Sequence, residues 1–225
     1  GQLTDHLRAK ELKVLGPIGD FTVDDARAYH KATYSIGMGA GRRFVRHVDL
    51  AGRKKILDLG GGSGAYCINA ANTYPEIAAV VFDLPSVAEV AREFIAENGV
   101  QDRVSAIGGD FTQDEFPSGA DVVIMASNLP MYGPDMIGRV VQKAFDALDP
   151  GGEMRLIGES LNDDRVGPIG PAYWGLGQAI SETEGVAHSE ADCIGYFETA
   201  GFKDVAAIPF IEGTLTRIHG LKPLA

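Results

Sequence analysis

Residues 55–65, Lys-Ile-Leu-Asp-Leu-Gly-Gly-Gly-Ser-Gly-Ala, constrain the fold more than any other stretch. Ile56, Leu57 and Leu59 form a short apolar run of the kind that fills a buried parallel strand. Four glycines then occupy five positions, and a helical pattern follows over 66–74. A glycine-rich turn between strand and helix lets the chain turn sharply and brings bare backbone close to a ligand. Gly60-x-Gly62-x-x-Ala65 also fits the loose dinucleotide fingerprint, so the turn alone does not choose a ligand. Asp58, two residues before the first glycine, and the segments ending at Asp83 and Asp110 lean the other way.

After this turn the sequence alternates. It predicts strands over 77–82, 104–107, 122–126 and 154–158, ending respectively at Asp83, Gly108-Gly109-Asp110, Ser127-Asn128 and Glu159. Between them, Ser86-x-x-Glu89 reads as a capping box opening a helix over 87–98 that stops at Gly99. A second helix is expected over 134–148, stopped by Pro150-Gly151-Gly152. Ser189-x-x-Asp192 caps a third, which runs to Ala200 with Gly201 at its end. Strands over 205–208 and 215–220, joined by a short turn at Glu212-Gly213, should pair antiparallel. Such alternation implies an α/β fold, a largely parallel sheet with helices on both faces.

Residues 1–50 are less regular and read as a helical lead-in or linker, with the main domain over 51–225. Gly16-Pro17-Ile18-Gly19 is a turn. Thr22 or Asp24 caps a helix over 25–34, the glycines at 37, 39 and 41 interrupt it, and a helical pattern resumes over 42–50. The basic cluster of Arg42, Arg43, Arg46, Arg53, Lys54 and Lys55 reads as a solvated face rather than a phosphate site.

A chain of 225 residues can bury a substantial single core. A formal net charge of −11 repels nucleic acid and anionic membrane surfaces, which removes both as partners. Cys67 and Cys193 fall in apolar helical settings and read as reduced buried thiols of a cytoplasmic protein. No apolar run approaches a membrane span and no signal peptide is visible. The first residue is glycine, so the beginning reads as a cut or a tag remnant. No His/Cys/Asp group has metal-ligand spacing, and a metal-free protein is expected.

Sheets of this kind bind ligands at the carboxyl ends of their strands, where strand order reverses. Gly60–Gly64, Asp83, Asp110 and Ser127-Asn128 fall at four successive strand ends. An acid about 20 residues past the glycines can accept both hydroxyls of a ribose. An acid followed by an aromatic, as at Asp110-Phe111, can bond an adenine amine and cover the ring face. No Walker lysine is present, which argues against a nucleoside triphosphate.

Leu57-Asp58-Leu59-Gly60-Gly61-Gly62-Ser63-Gly64, Val81-Phe82-Asp83-Leu84-Pro85-Ser86-Val87, Gly109-Asp110-Phe111, Ala120-Asp121 and Leu148-x-Pro150-Gly151-Gly152 resemble the class I S-adenosylmethionine-dependent methyltransferases. More narrowly they resemble the small-molecule O-methyltransferases of caffeic-acid, hydroxyindole and bacterial tailoring type, from about Tyr29 onward. The resemblance implies a Rossmann-like seven-stranded sheet with a reversed last strand. It implies S-adenosylmethionine as cofactor, S-adenosylhomocysteine as product and a small-molecule methyl acceptor. Asp58, Gly60, Gly61, Gly62, Asp83, Leu84, Asp110, Phe111 and Ser127 would hold the cofactor. Residues 29–38 would close over it. Tyr29, Tyr34, Met38, Asn128, Tyr132 and Trp174 are the candidates for the acceptor pocket.

Two departures matter. The family's helical N-terminal dimerisation domain is missing, so homodimer formation would depend mainly on a region not in this chain. Its general-base histidine, in a Leu-His-Asp-Trp motif, corresponds to Leu129-Pro130-Met131-Tyr132, so proline stands at the base position. A second supporting acid falls at Ala187; only Glu159 is kept. A general base contributes about 10²–10⁴-fold, and a phenol needs one at neutral pH, whereas a thioether or tertiary amine has no proton to remove. The loss therefore favours sulfur or nitrogen methylation, or a substitute base, for which His188 and His30 are the candidates. Glu159 is the catalytic or substrate-holding acid. An NAD-dependent oxidoreductase and a non-catalytic S-adenosylmethionine-binding protein remain the alternatives.

Overall fold

The computed structural model describes residues 21–180 and 184–224, so the turn expected at 16–19 lies outside the described residues. In chain order the elements are α1 (Val23–His47), β1 (Lys55–Leu59), α2 (Ala65–Thr73), β2 (Ala78–Asp83), α3 (Pro85–Glu97), β3 (Val104–Gly108) and β4 (Ala120–Ala126). A 3-10 turn (Leu129–Met131), α4 (Pro134–Ala147), β5 (Leu148–Gly158), β6 (Ser160–Leu161) and α5 (Ile169–Ile180) follow. The chain ends with β7 (His188–Ser189), α6 (Glu190–Ala200), β8 (Lys203–Ile211) and β9 (Leu215–Leu221). Seven strands form one sheet in the order β3-β2-β1-β4-β5-β9-β8. The first five run parallel, and β9 lies antiparallel to both β5 and β8. The α/β fold and the reversed last strand are therefore present. Strand order turns back between β1 and β4, which opens a crevice at their carboxyl ends.

The apolar strands are covered on both faces. Ile56, Val81, Val122 and Ile124 join α1–α3 in one core, while Leu57, Leu59, Val123 and Met125 join α4 and α6 in the other. β1 alternates between the two, which fixes it as a central strand.

Four expectations need correction. The helix expected to break at the glycines is continuous from Val23 to His47. A Cβ at Gly41 would lie 2.6 Å from the Ala65 carbonyl oxygen, and one at Gly37 would lie 3.3 Å from the Ala65 Cβ. These glycines let α1 lie directly on α2, and that packing outweighs their poor helix propensity of about 1 kcal/mol each. Of the two cap candidates Thr22 is the one used: it forms a reciprocal capping box with Asp25, and the helix starts at Val23, two residues earlier than expected.

The capping box expected at Ser86 does not form. Helix α3 begins at Pro85 behind Leu84, without a side-chain cap, because proline at the first position is already set for a helix and lacks the amide that would need capping. The strand expected over 154–158 is longer: the preceding helix ends at Ala147, and β5 starts at Leu148 and passes through Pro150-Gly151-Gly152, with a register shift against β4 between Ala120 and Val122. Finally, α5 and the small parallel pair β6–β7 had no counterpart in the sequence reading. The cap of α6 by Ser189 and Asp192 and its stop at Gly201 are as expected.

The basic cluster is partly spent on structure. Arg43 donates to the Phe210 carbonyl, Arg53 bonds the Gly151 carbonyl at 3.0 Å and pairs with Glu153 at 3.2 Å, and Lys55 bonds the Ser118 carbonyl at 2.8 Å. Both cysteines are free and buried. No helix among the described residues is long and apolar enough to cross a membrane.

Candidate active site

The glycine turn leaves β1 as its amide at Gly60 bonds the Phe82 carbonyl at 2.8 Å. Gly62 has φ +56°, a left-handed conformation that costs other residues roughly 1–2 kcal/mol. Its amide donates to Asp83 Oδ2 at 2.8 Å, and the Leu84 amide donates to Oδ1 at 2.7 Å. Both Asp83 oxygens are thus oriented by backbone. Burial pushes this carboxyl up, and the two amides oppose that shift. Each oxygen keeps further acceptor capacity.

Asp58 behaves differently. It is 0 % exposed, lies beneath Gly61, receives the Cys67 thiol at 3.5 Å on Oδ2 and has no hydrogen-bond partner on Oδ1. Burial first, with the charge of Asp83 adding to it, pushes it up to about 7. The Tyr66 hydroxyl nearby is also buried without a partner.

At the end of β3, Asp110 accepts from the Thr112 amide at 2.8 Å, the Thr112 hydroxyl at 2.6 Å and Gln113 at 2.7 Å. Partial burial pushes it up, but these bonds and the Lys143 charge win and hold it below the usual carboxylate range. Phe111 is buried, with its ring edge-on to Tyr132 at 5.3 Å between centroids. Burial first, then the charges of Asp110 and Asp83, push the Tyr132 hydroxyl up to about 12.

At the end of β4, Ser127 is exposed with φ +61°, a strained state worth about 1–3 kcal/mol. Asn128 bonds the Ala126 carbonyl at 2.9 Å and the Gly60 carbonyl at 3.3 Å, which fastens β4 to the glycine turn. The structure therefore brings Gly60, Gly62, Asp83, Phe111, Asn128 and Tyr132 to one edge of the sheet.

The other side of the crevice is less complete. Glu159, just past β5, is half-buried with Oε2 unpartnered, and burial pushes it up. It lines a cavity of about 340 Å³ with Gly170, Tyr173, Trp174 and Thr214. Tyr173 and Trp174 are 66 % and 53 % exposed. Of this cavity's lining, the sequence pointed to Glu159 and Trp174; Tyr173 and Thr214 needed α5 and the β8–β9 turn to be seen. Pro130 is buried in the 3-10 turn.

His188 is 1 % exposed. Its Nδ1 pairs with the Tyr196 hydroxyl at 2.9 Å and its Nε2 with the Tyr132 carbonyl at 2.8 Å. Both nitrogens are engaged, and the ring clamps the 3-10 segment to α6. His30, on α1, lies against the glycine turn: a Cβ at Gly62 would meet its ring carbon at 2.6 Å.

The remaining acceptor-pocket candidates scatter. Tyr34 stacks on Phe94 at 4.4 Å and accepts from Asn98 at 2.6 Å. It thus sits at the C-terminal end of α3, away from the glycine turn. Met38 accepts a weak bond from Asn69 at 3.4 Å and packs against α2. Tyr29 is exposed and edge-on to His30. Among the described residues, no group of three or more His, Cys, Asp or Glu side chains is placed to hold a metal ion.

The chain matches the O-methyltransferase domain over residues 21–203. It is similar to the L-tyrosine C(3)-methyltransferase of Streptomyces lavendulae, 34 % identical over 143 residues covering 64 % of this chain and 39 % of that protein. It is also similar to the tetracenomycin polyketide synthesis 8-O-methyl transferase of Streptomyces glaucescens, 28 % identical over 99 % of this chain and 66 % of that protein. Among solved structures, an O-methyltransferase family 2 protein from Planctomyces limnophilus in complex with apigenin has a TM-score of 0.80 at 30 % identity, over 88 % of this chain and 62 % of that one. Human N-acetylserotonin methyltransferase in complex with SAM shares the fold, with a TM-score of 0.83 at 24 % identity over 99 % of this chain and 66 % of that one. The chain spans between about two fifths and two thirds of the length of these curated relatives. On the domain match over most of its length, the chain belongs to the O-methyltransferase domain family.

Proposed function

We propose that this chain carries out methyl transfer from S-adenosylmethionine to a small-molecule acceptor. The observation that carries the reading is the Asp83 carboxylate, held by the Gly62 and Leu84 amides at the switch point. A carboxylate fixed this way presents its free lone pairs to a vicinal diol without reorganising. The residues fit the cofactor. Gly60, Gly61 and Gly62 leave bare backbone for the amino-acid tail, with Asp58 beneath them. Asp83 and Leu84 hold the ribose, and Asp110, Phe111 and Ser127 flank the base. When bound, S-adenosylmethionine supplies an electrophilic methyl on its sulfonium; the chain's part is to bind, orient and exclude water.

Glu159 and Trp174, with Asn128 and Tyr132 across the crevice, form the acceptor side in this reading, and His188 acts by holding the Tyr132 segment. Tyr29 closes the entrance. A carboxyl beside two aromatic rings suits an aromatic acceptor carrying a hydroxyl or cationic group. Relatives bear names for both oxygen and carbon methylation, and oxygen is the leading reading here. Pro130 at the base position favours a second, sulfur or nitrogen methylation, because a thioether or a tertiary amine has no proton to lose. The two buried free thiols suit the reducing cytoplasm, and homodimerisation is carried over from the family resemblance alone.

Calorimetric titration with S-adenosylmethionine, S-adenosylhomocysteine and NAD tests the cofactor. Binding of the first two without NAD is expected, and tight binding of NAD alone would overturn the reading. A mass-spectrometric screen of phenols, thioethers and amines for the gain of one methyl then identifies the acceptor atom.

A further inference from the structure

We infer that His30, on α1, replaces the family's missing general base and takes the proton from a hydroxyl acceptor. The inference rests on the proposed methyl transfer and extends it to a residue on a different element.

Three observations converge. The position after β4 where a base would stand is Pro130, which has no titratable group and is buried in the 3-10 turn. His188, the other histidine candidate, has both ring nitrogens engaged by Tyr196 and Tyr132. A base must have a nitrogen free for the acceptor proton, and His188 has none to offer. His30 is the converse: it touches Tyr29 edge-on and makes no hydrogen bond to another described residue.

Its place is also specific. The ring stands over Gly62, its Cε1, Nδ1 and Nε2 lying 2.6, 3.1 and 3.6 Å from where a Cβ on that glycine would be. The amide of the same glycine bonds Asp83 at 2.8 Å. Gly62 is thus the joint between the glycine backbone, which takes the amino-acid tail, and the carboxylate, which takes the sugar. The sulfonium joins those two parts of the cofactor, so a side chain beside this joint would stand near the reacting atoms. Partial burial also holds the imidazole below its ordinary value, so at neutral pH it is uncharged and able to accept a proton.

The step balances within the proposed reaction. As the acceptor O–H bond breaks, its proton passes to a free nitrogen of His30, and the electron pair left on oxygen forms the new bond to the methyl carbon. The pair of the old carbon–sulfur bond stays on sulfur, leaving neutral S-adenosylhomocysteine, and His30 then releases its proton to water.

The first test needs no turnover. Full-length chain is treated with diethyl pyrocarbonate, with and without saturating S-adenosylhomocysteine, and carbethoxylation is read by peptide mass spectrometry. His30 should be modified in the free protein and protected about tenfold or more by the ligand, while buried His188 stays unmodified in both. Calorimetric binding of S-adenosylhomocysteine without protection of His30 would overturn this inference alone. Failure to bind would remove the proposed function, and the inference with it.

The second test separates a base from a group that merely holds the cofactor's tail. His30→Gln should keep S-adenosylhomocysteine affinity within about threefold while lowering kcat on a hydroxyl acceptor about 100-fold or more. A tenfold loss of affinity with unchanged kcat would assign His30 to cofactor binding and overturn the base role. So would a screen that yields only thioether or amine acceptors. A screen in which no acceptor is methylated would count against the proposed function itself.

Discussion

The two halves of the crevice are built differently. On the β1–β3 half, Asp83 has each carboxylate oxygen held by a backbone amide, and Asp110 is held by Thr112 and Gln113. On the β4–β5 half, Glu159 leaves a buried oxygen unpartnered, and Tyr173 and Trp174 stand largely in water. Groups already fixed lose little freedom when a ligand arrives, whereas unpartnered groups gain only when the ligand brings the missing partner. The first arrangement suits a ligand that never changes, and the second suits one that sets specificity.

The largest effect expected from disturbing this contrast is on stability, at the one unsatisfied acid of the first half. Burial pushes Asp58 up to about 7, above an unfolded carboxylate near 3.9. Between about pH 4 and 7 the unfolded chain loses this proton while the folded chain keeps it. Stability therefore falls as pH rises through that window, by on the order of 4 kcal/mol. Asp58→Asn removes that contribution, so chemical denaturation at both ends of the window should show the variant gaining on the parent at the higher pH. Parallel curves would mean that Asp58 is ionised in the fold.

Next comes Gly62→Val, which forces a β-branched residue into the left-handed region and its Cβ into the His30 ring. S-adenosylhomocysteine affinity should fall at least about 100-fold, close to 3 kcal/mol. Near-parental affinity in calorimetry would show that the turn does not touch the ligand. Asp83→Ala should weaken the same binding by about 1–3 kcal/mol, the cost of losing a charged acceptor, and an unchanged constant would remove the ribose role. The smallest change is expected across the crevice. Trp174→Ala should raise KM for an aromatic acceptor by roughly threefold to tenfold, about 1 kcal/mol for one half-exposed aromatic contact. Affinity for S-adenosylhomocysteine should not move; if it does, the two halves are not separable.

The contrast also explains what the sequence made legible. Strand ends were readable because Asp83, Asp110 and Asn128 each follow an apolar run, and their place depends only on local alternation and sheet topology. The β4–β5 half depends on what lies across from each side chain. Trp174 could be singled out as an aromatic, but its neighbours Tyr173 and Thr214 come together only once α5 and the β8–β9 turn are folded. His188 was legible only as a histidine that could stand in for the base, and it took Tyr196 and the Tyr132 carbonyl to show both its nitrogens engaged. The glycines at 37 and 41 looked like a helix break because nothing in their own segment shows the α2 backbone pressing on them. Tyr34 failed for a similar reason: its ring answers to Phe94 on α3, sixty residues downstream.

The flush seating of α1 at Gly37 and Gly41 has a mechanical consequence. Without side chains to act as spacers, the two helices form a single stiff bracket, and His30 rides on the same piece as the turn it overlooks. Moving that histidine aside with its helix would mean lifting α1 off α2 at these glycines and also off α3, where Arg27 pairs with Glu93 and Tyr34 stacks on Phe94.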